Sequence, residues 1–196
     1  MENAIEVRDL FKSFGKKAVL SGFSAVFPIG AVAAVMAPSG GGKTTLLRIL
    51  MGLEQPDSGT ISGLTGLRQS AVFQEDRLCE HLSAEANIRL VNPAISREQV
   101  QAAMAEVGLV SCAGQPVREF SGVMRRRVAI LRALLAPYDI LFLDEPFKGL
   151  DRDTKELVMA DTRRRCAGRT VLLVTHDADE AAALGATQIL RLPLLP

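Results

Sequence analysis

Three observations predict an α/β fold with a mostly parallel central sheet. Ile140-Leu141-Phe142-Leu143 and Thr170-Val171-Leu172-Leu173-Val174 are apolar throughout, as parallel strands covered on both faces should be. Such segments alternate with stretches of helical period, which implies a sheet wound with right-handed crossovers. The third is the stretch Ala37-Pro38-Ser39-Gly40-Gly41-Gly42-Lys43-Thr44-Thr45, set between the small apolar run Ala31 to Met36 and Leu46-Leu47-Arg48-Ile49-Leu50. A buried strand, a glycine loop and an apolar-faced helix form the setting a phosphate site requires, the alternative being a glycine-rich turn before an ordinary helix. Backbone N–H groups point inward around the phosphates and the helix N-terminus adds partial positive charge.

In chain order, residues 4–10 and 18–27 read as strands, separated by a turn at Phe14-Gly15-Lys16-Lys17. Pro28-Ile29-Gly30 turns the chain into the strand that feeds the glycine loop. The helix from Thr44 should stop near Gly52, with Pro56 preventing continuation. Thr60-Ile61 and Ser70-Ala71-Val72-Phe73 read as short strands, punctuated by Gly59, Gly63 and Gly66. From Asp76 to about Pro137 the chain becomes mostly helical. Ser83 is placed to cap one helix. Ser96-Arg97-Glu98-Gln99 opens a second with a capping-box pattern, and this helix should end at Gly108. A third begins near Ser121-Gly122 and stops at Pro137. After the strand 140–143 come a helix over about 153–166, the strand 170–174, a short helix at 178–184 and a last strand near 187–191.

The 196 residues suit one domain, 1–196, with a substantial core. Hydrophobic residues make up 48% and charged residues 23%, a globular rather than disordered balance. A net charge of +1 provides no electrostatic argument for nucleic acid as a partner. Cys79, Cys112 and Cys166 are far apart with no Cys-x-x-Cys pair, which suits free thiols in a reducing compartment. No apolar run approaches the roughly 20 residues of a membrane span, and the first residues lack the pattern of a signal peptide. A cytosolic chain is expected, with any membrane role supplied by a partner.

Ligands in such sheets bind at the carboxyl ends of the strands, so the residues just after each strand should be the chemical ones. In the loop, Lys43 is placed to reach the β- and γ-phosphates and the Thr44 hydroxyl to ligate Mg²⁺. After the strand 140–143 come Asp144, placed to hold Mg²⁺ through its water shell, and Glu145, placed to orient or deprotonate water. A lone Asp-Glu after a strand also suits helix capping; the apolar tetrad before it and Pro146 after it favour the chemical reading. Thr175-His176-Asp177 follows the strand 170–174. His176 reads either as a structural histidine or as a ligand contact, and Asp177 as a helix cap. Gln74, after the strand 70–73, carries an amide suited to Mg²⁺ or water.

These residues together resemble the ATP-binding subunits of ABC transporters over essentially the whole chain. Gly-Lys-Thr-Thr looks like that family's Walker A, and Phe73-Gln74-Glu75-Asp76 like its Q-loop. Phe120-Ser121-Gly122-Val123-Met124-Arg125-Arg126-Arg127 resembles its signature, usually Leu-Ser-Gly-Gly-Gln. Leu141-Phe142-Leu143-Asp144-Glu145-Pro146 resembles Walker B with its catalytic glutamate, Gly149-Leu150-Asp151 the D-loop, and Val174-Thr175-His176-Asp177 the switch histidine.

The resemblance implies a P-loop NTPase fold with an N-terminal antiparallel β subdomain and an inserted α-helical subdomain at about 76–137. It implies ATP and Mg²⁺ as cofactors. ATP would be held by Ser39, Gly40, Gly41, Gly42, Lys43, Thr44 and Thr45, and from a second copy by Ser121 and Gly122. Mg²⁺ would be held by Thr44, Gln74 and Asp144, and Lys43, Gln74, Glu145 and His176 would serve catalysis. Phe14 falls where the family stacks an aromatic on adenine; an ordinary sheet-core residue is the alternative. The implied partners are a second copy or a homologous ATPase subunit in a head-to-tail dimer, and membrane permease subunits. A solute-binding protein is implied indirectly. That places the chain peripherally on the inner face of the cell membrane. Val-Phe-Gln-Glu-Asp-Arg-Leu and the compact length are similar to importer subunits of the nitrate, sulfonate and taurine group.

The chain also departs from the family pattern. Ala37 replaces the first loop glycine, which is tolerable if its backbone angle is ordinary and costly if φ is positive. Val123 replaces the second signature glycine and is expected to crowd the phosphate approach, with backbone strain of about 1–3 kcal/mol. Met124 replaces the usual glutamine. Arg125-Arg126-Arg127 reads as a solvated or packing face rather than a phosphate patch. The departures leave ATP binding intact and put the rate of hydrolysis in question. They also motivate an alternative, a degenerate module that binds ATP and regulates with little turnover.

Overall fold

The computed structural model describes residues 4–38 and 40–193; Ser39 lies outside the described residues. Two sheets organise the chain. Strands β1 (Ala4–Phe14), β2 (Lys17–Pro28) and β4 (Ser58–Ser62) form an antiparallel sheet in the order β2-β1-β4. Strands β3 (Val32–Met36), β5 (Gln69–Val72), β6 (Ile140–Asp144), β7 (Thr170–Thr175) and β8 (Gln188–Arg191) form a second sheet in the order β5-β6-β7-β3-β8. All its pairings are parallel, as the apolar strands predict.

Alternation along the parallel strands separates two cores. Val32 and Ala34 of β3, Leu141 and Leu143 of β6, and Val171 and Leu173 of β7 face a helical layer. Their neighbours Ala33 and Val35, Ile140 and Phe142, and Leu172 and Val174 face the other way, onto helix α1 (Lys43–Leu50) and the antiparallel sheet residues Ile5, Val7, Leu10, Leu20 and Phe27. Helix α1 is therefore packed from two sides, with Leu46 and Leu47 almost fully buried. That burial holds the helix start beneath the glycine loop.

The helical layer contains α2 (Ala84–Arg89), α3 (Arg97–Glu106) and α4 (Gly122–Leu134), with a 3-10 turn at Val117–Glu119 between the last two. Ser83 caps α2, and Ser96 with Gln99 closes the expected capping box on α3. Ser121 caps α4 by accepting the Met124 N–H at 3.2 Å. Asn87, fully buried on α2, accepts the Cys79 N–H at 2.8 Å and donates to the carbonyls of Cys79 and Ser83 at 3.1 and 3.0 Å. One side chain thus closes the segment 79–83 that leads into the layer. Helices α5 (Arg152–Arg165) and α6 (Ala178–Ala183) complete the chain.

Several boundaries differ from expectation, the largest being β1, which runs past residue 10 to Phe14. The turn at 14–17 tightens to Gly15-Lys16, because Phe14 pairs directly with Lys17 and Gly15 takes a φ of 60°. Helix α5 starts at Arg152, since Asp151 accepts the Thr154 N–H at 3.0 Å and caps it.

Candidate nucleotide site

Parallel register brings the carboxyl ends of four strands level. Met36 of β3 lies opposite Thr175 of β7, Val174 opposite Asp144 of β6, and Leu143 opposite Val72 of β5. Whatever follows each strand therefore meets at one edge of the sheet. A cavity of about 680 Å³ opens there. Of the residues singled out in the sequence, Phe14, Gly40, Gly41, Gly42, Lys43, Thr44, Thr45, Gln74, Glu145 and His176 line it. Ser121 and Gly122 are exposed at the start of α4 and do not line it.

The loop owes its shape to close approaches. A Cβ at Gly41 would lie 2.8 Å from the Ala37 methyl, and one at Gly42 only 2.7 Å from the Val19 carbonyl oxygen. Gly40 and Gly42 take φ of 79° and 81°, in the left-handed region that favours glycine. Ala37 is buried and is not among the residues of positive φ, so its methyl sits on an ordinary backbone. Lys43 is 5% exposed and folds back over the loop, donating to the carbonyls of Ala37 at 2.6 Å and Pro38 at 3.0 Å.

Glu145 links the two sides of the cavity. Its carboxylate lies 3.6 Å from Lys43 Nζ and 3.5 Å from His176 Nδ1. Its backbone is unusual, with φ +45° in a residue that is not glycine. Lys148, absent from the sequence reading, also lines the cavity, with Nζ 4.0 Å from Glu145. Lys17 and Val19 do so on the Phe14 side. Phe14 is 50% exposed, with Lys12 Nζ 5.0 Å from the ring centroid. It is therefore not a sheet-core residue, and its ring is open to the cavity.

The oxygen-rich cluster deeper in the cleft suits a hard divalent cation. The Gln74 amide donates to Thr44 Oγ1 at 2.9 Å and approaches Asp144 Oδ1 at 3.4 Å. Burial pushes the Asp144 carboxyl above its usual range, while hydrogen bonds from Thr44 and Gln74 pull it back. One hydroxyl, one amide and one buried carboxylate fit Mg²⁺, which takes few protein ligands and completes its octahedron with water and phosphate oxygens. No group of three or more His, Cys, Asp or Glu side chains that could hold a metal occurs among the described residues.

The His176 backbone is set by a network from α5. Lys155 Nζ bonds Asp177 at 2.7 Å and Glu180 at 2.6 Å, and Glu180 accepts from the Thr175 hydroxyl at 2.5 Å. Lys155 thus ties the helix that Asp151 caps to the turn carrying His176.

A model of the ABC transporter family matches residues 20–148. The chain belongs to that family. Among curated relatives, the aliphatic sulfonates import ATP-binding protein SsuB 3 of Rhodococcus jostii is 40% identical over 186 residues, covering 92% of this chain and 68% of the relative. SsuB 1 of Nocardia farcinica is 41% identical, covering 92% and 75%. The solved ATP-binding cassette MJ0796, a dimer in a post-hydrolysis state with ADP and Pi, matches with a TM-score of 0.82 at 26% identity, covering 96% of this chain and 94% of that one. This ABC subunit is therefore an ATPase of the P-loop fold that uses ATP and Mg²⁺.

The structure corrects one reading of the signature and divides another. Val123 lies inside α4 and is not among the residues of positive φ, so the expected backbone strain is absent. Arg125-Arg126-Arg127 is not one face. Arg125 reaches Glu80, Arg127 bonds the carbonyls of Val107 and Gly108 at the end of α3, and Arg126 is buried at 5% exposure. Position 126 falls on the stripe shared with Ala129, Ile130 and Ala133, a spacing legible in the sequence.

Proposed function

We propose that this ABC subunit powers a membrane permease importing an aliphatic sulfonate or a similar small oxyanion. It would act on the cytoplasmic face of the membrane, with a solute-binding protein delivering the substrate. Names of relatives at 40–41% identity support this substrate class. No helix among the described residues is long and apolar enough to cross a membrane, which suits a subunit that docks on a separate permease. On this reading residues 1–196 act as one ATPase domain whose helical subdomain, about 76–137, faces the permease.

The observation that carries the mechanism is the meeting of Lys43 and His176 on the Glu145 carboxylate, at 3.6 and 3.5 Å, over the glycine loop. Lys43 and the loop N–H groups neutralise and orient the β- and γ-phosphates. Phe14 offers its ring to the adenine. Glu145 takes a proton from the water that attacks the γ-phosphorus as the bond to the ADP oxygen breaks, and His176 holds that carboxylate in place. Thr44, Asp144 and Gln74 would hold Mg²⁺, which would supply stabilisation of the negative charge that develops on the phosphates. Ser121 and Gly122, which do not line the cavity of their own chain, close the site of a second copy with the N-terminal end of α4.

Reconstitution with the co-purified permease tests the proposal. Ethanesulfonate with its binding protein should stimulate ATP hydrolysis, and Glu145→Gln should abolish the stimulated rate. No permease in the membrane fraction, or no response to any sulfonate, would reject the transport assignment. Intact Lys43, Thr44, Asp144, Glu145 and His176 leave no observation favouring a degenerate regulatory module.

A further inference from the structure

Arg126 carries more contacts to the catalytic segment than any sequence motif suggests. Its Nε donates to the Pro146 carbonyl at 2.7 Å, and Nη2 donates to the carbonyls of Glu145 at 2.8 Å and Asp144 at 3.3 Å. Nη1 donates to the carbonyls of Phe73 at 2.6 Å and Gln74 at 3.3 Å. Its carboxylate contact is Asp76, also at 3.3 Å. A buried guanidinium is costly unless its charge meets organised dipoles, and here five carbonyls converge on it.

Two consequences follow from that geometry. Three successive carbonyls, 144 to 146, turn toward one fork, and the middle one belongs to Glu145, whose φ of +45° L-residues rarely adopt. Such a backbone persists only where its surroundings hold it. The same fork also holds the backbone of Gln74, whose amide reaches Thr44 and Asp144. Arg126 itself sits in the second turn of α4, the helix that Ser121 opens.

We propose that Arg126 is a positioning residue for hydrolysis. It locks the Glu145 backbone in its strained conformation and couples it to the Q-loop, so that movement of Gln74 alters where the Glu145 carboxylate points. The planar fork is what allows this. A lysine retains the charge but donates from one nitrogen and cannot bridge both segments at once. The inference rests on Glu145 serving as the base.

The experiment is a double-mutant cycle on ATP turnover by the purified chain, with fluorescent-ATP affinity measured alongside. Arg126→Gln is expected to lower kcat by about 10²-fold, the scale of a small misplacement of a catalytic group, while nucleotide affinity stays within about threefold. In a Glu145→Gln background the same change should cost less than about threefold, because no base remains to misplace. Should Arg126→Gln fail to fold, Arg126→Lys carries the same comparison, since it keeps the stem and the buried charge. An equal loss in both backgrounds, or affinity falling in step with kcat, would overturn the inference and leave Arg126 a merely structural residue. If Glu145→Gln itself leaves turnover unchanged, the assignment of the base fails instead, which is a separate result.

Discussion

The methyl of Ala37 occupies the space that a Cβ at Gly41 would need, 2.8 Å away, with the Pro38 carbonyl oxygen next at 3.1 Å. The alanine in place of the first loop glycine is therefore accommodated by the glycine four residues on. Gly41→Ala should distort the loop at a cost of about 1–3 kcal/mol, which is about 5- to 150-fold in nucleotide affinity. Ala37→Gly removes the methyl without disturbing a left-handed residue and should leave affinity nearly unchanged. Titration with a fluorescent ATP analogue checks both.

His176 touches Glu145 from the exposed side of the cavity, with 62% of its side chain accessible. Removing it should leave the fold intact and misalign the base. His176→Ala is expected to reduce kcat by about 10²-fold or more with ATP affinity little changed. A steady-state ATPase assay beside an equilibrium binding titration measures the two separately.

Asn87 is the buried polar side chain that closes the segment 79–83, and its bonds leave unpaired backbone groups if it is cut back. Asn87→Ala should destabilise the chain by about 3 kcal/mol. Urea unfolding followed by circular dichroism would register the loss as a lower midpoint at unchanged slope.

Asp139 receives the Arg68 guanidinium and backbone N–H at the start of β6, and the guanidinium hydrogen bond lowers its carboxyl to about 2. A depressed carboxylate stabilises the fold above the ordinary unfolded value of about 4. That contribution disappears as pH falls from about 4 through about 2. Asp139→Asn should therefore melt lower than the natural chain at pH 6, and the gap should close as pH approaches 2. Thermal melts across that range read the convergence directly.

Most of this arrangement was legible in the sequence, because the signals were periodic or chemically specific. Uninterrupted apolar strands implied a parallel sheet, and the strand-end rule placed Gln74, Asp144, Glu145 and His176 on one edge. The run of three arginines suits a solvated or a packing face, and Arg126, at 5% exposure, takes the packing role while Arg125 and Arg127 reach other partners. The helical spacing of Arg126 with Ala129, Ile130 and Ala133 marks the packing side, but the carbonyls of two distant loops that receive its guanidinium follow no local pattern. Lys148 and Val19 joined the cavity wall for a similar reason, since their place depends on tertiary approach. The strain expected at Val123 was an inference from glycine in the family pattern, and the helix supplies that position with an ordinary backbone.

The central claim is that the cavity over Lys43 is half of a site, completed by Ser121 and Gly122 of a second copy. The most direct measurement is the mass in solution of the Glu145→Gln chain with saturating Mg-ATP, by light scattering after size exclusion. The account predicts a species of twice 21.1 kDa that returns to monomer when Ser121→Arg is added. A Glu145→Gln chain that stays monomeric with ATP bound, or a dimer indifferent to Ser121→Arg, would contradict it.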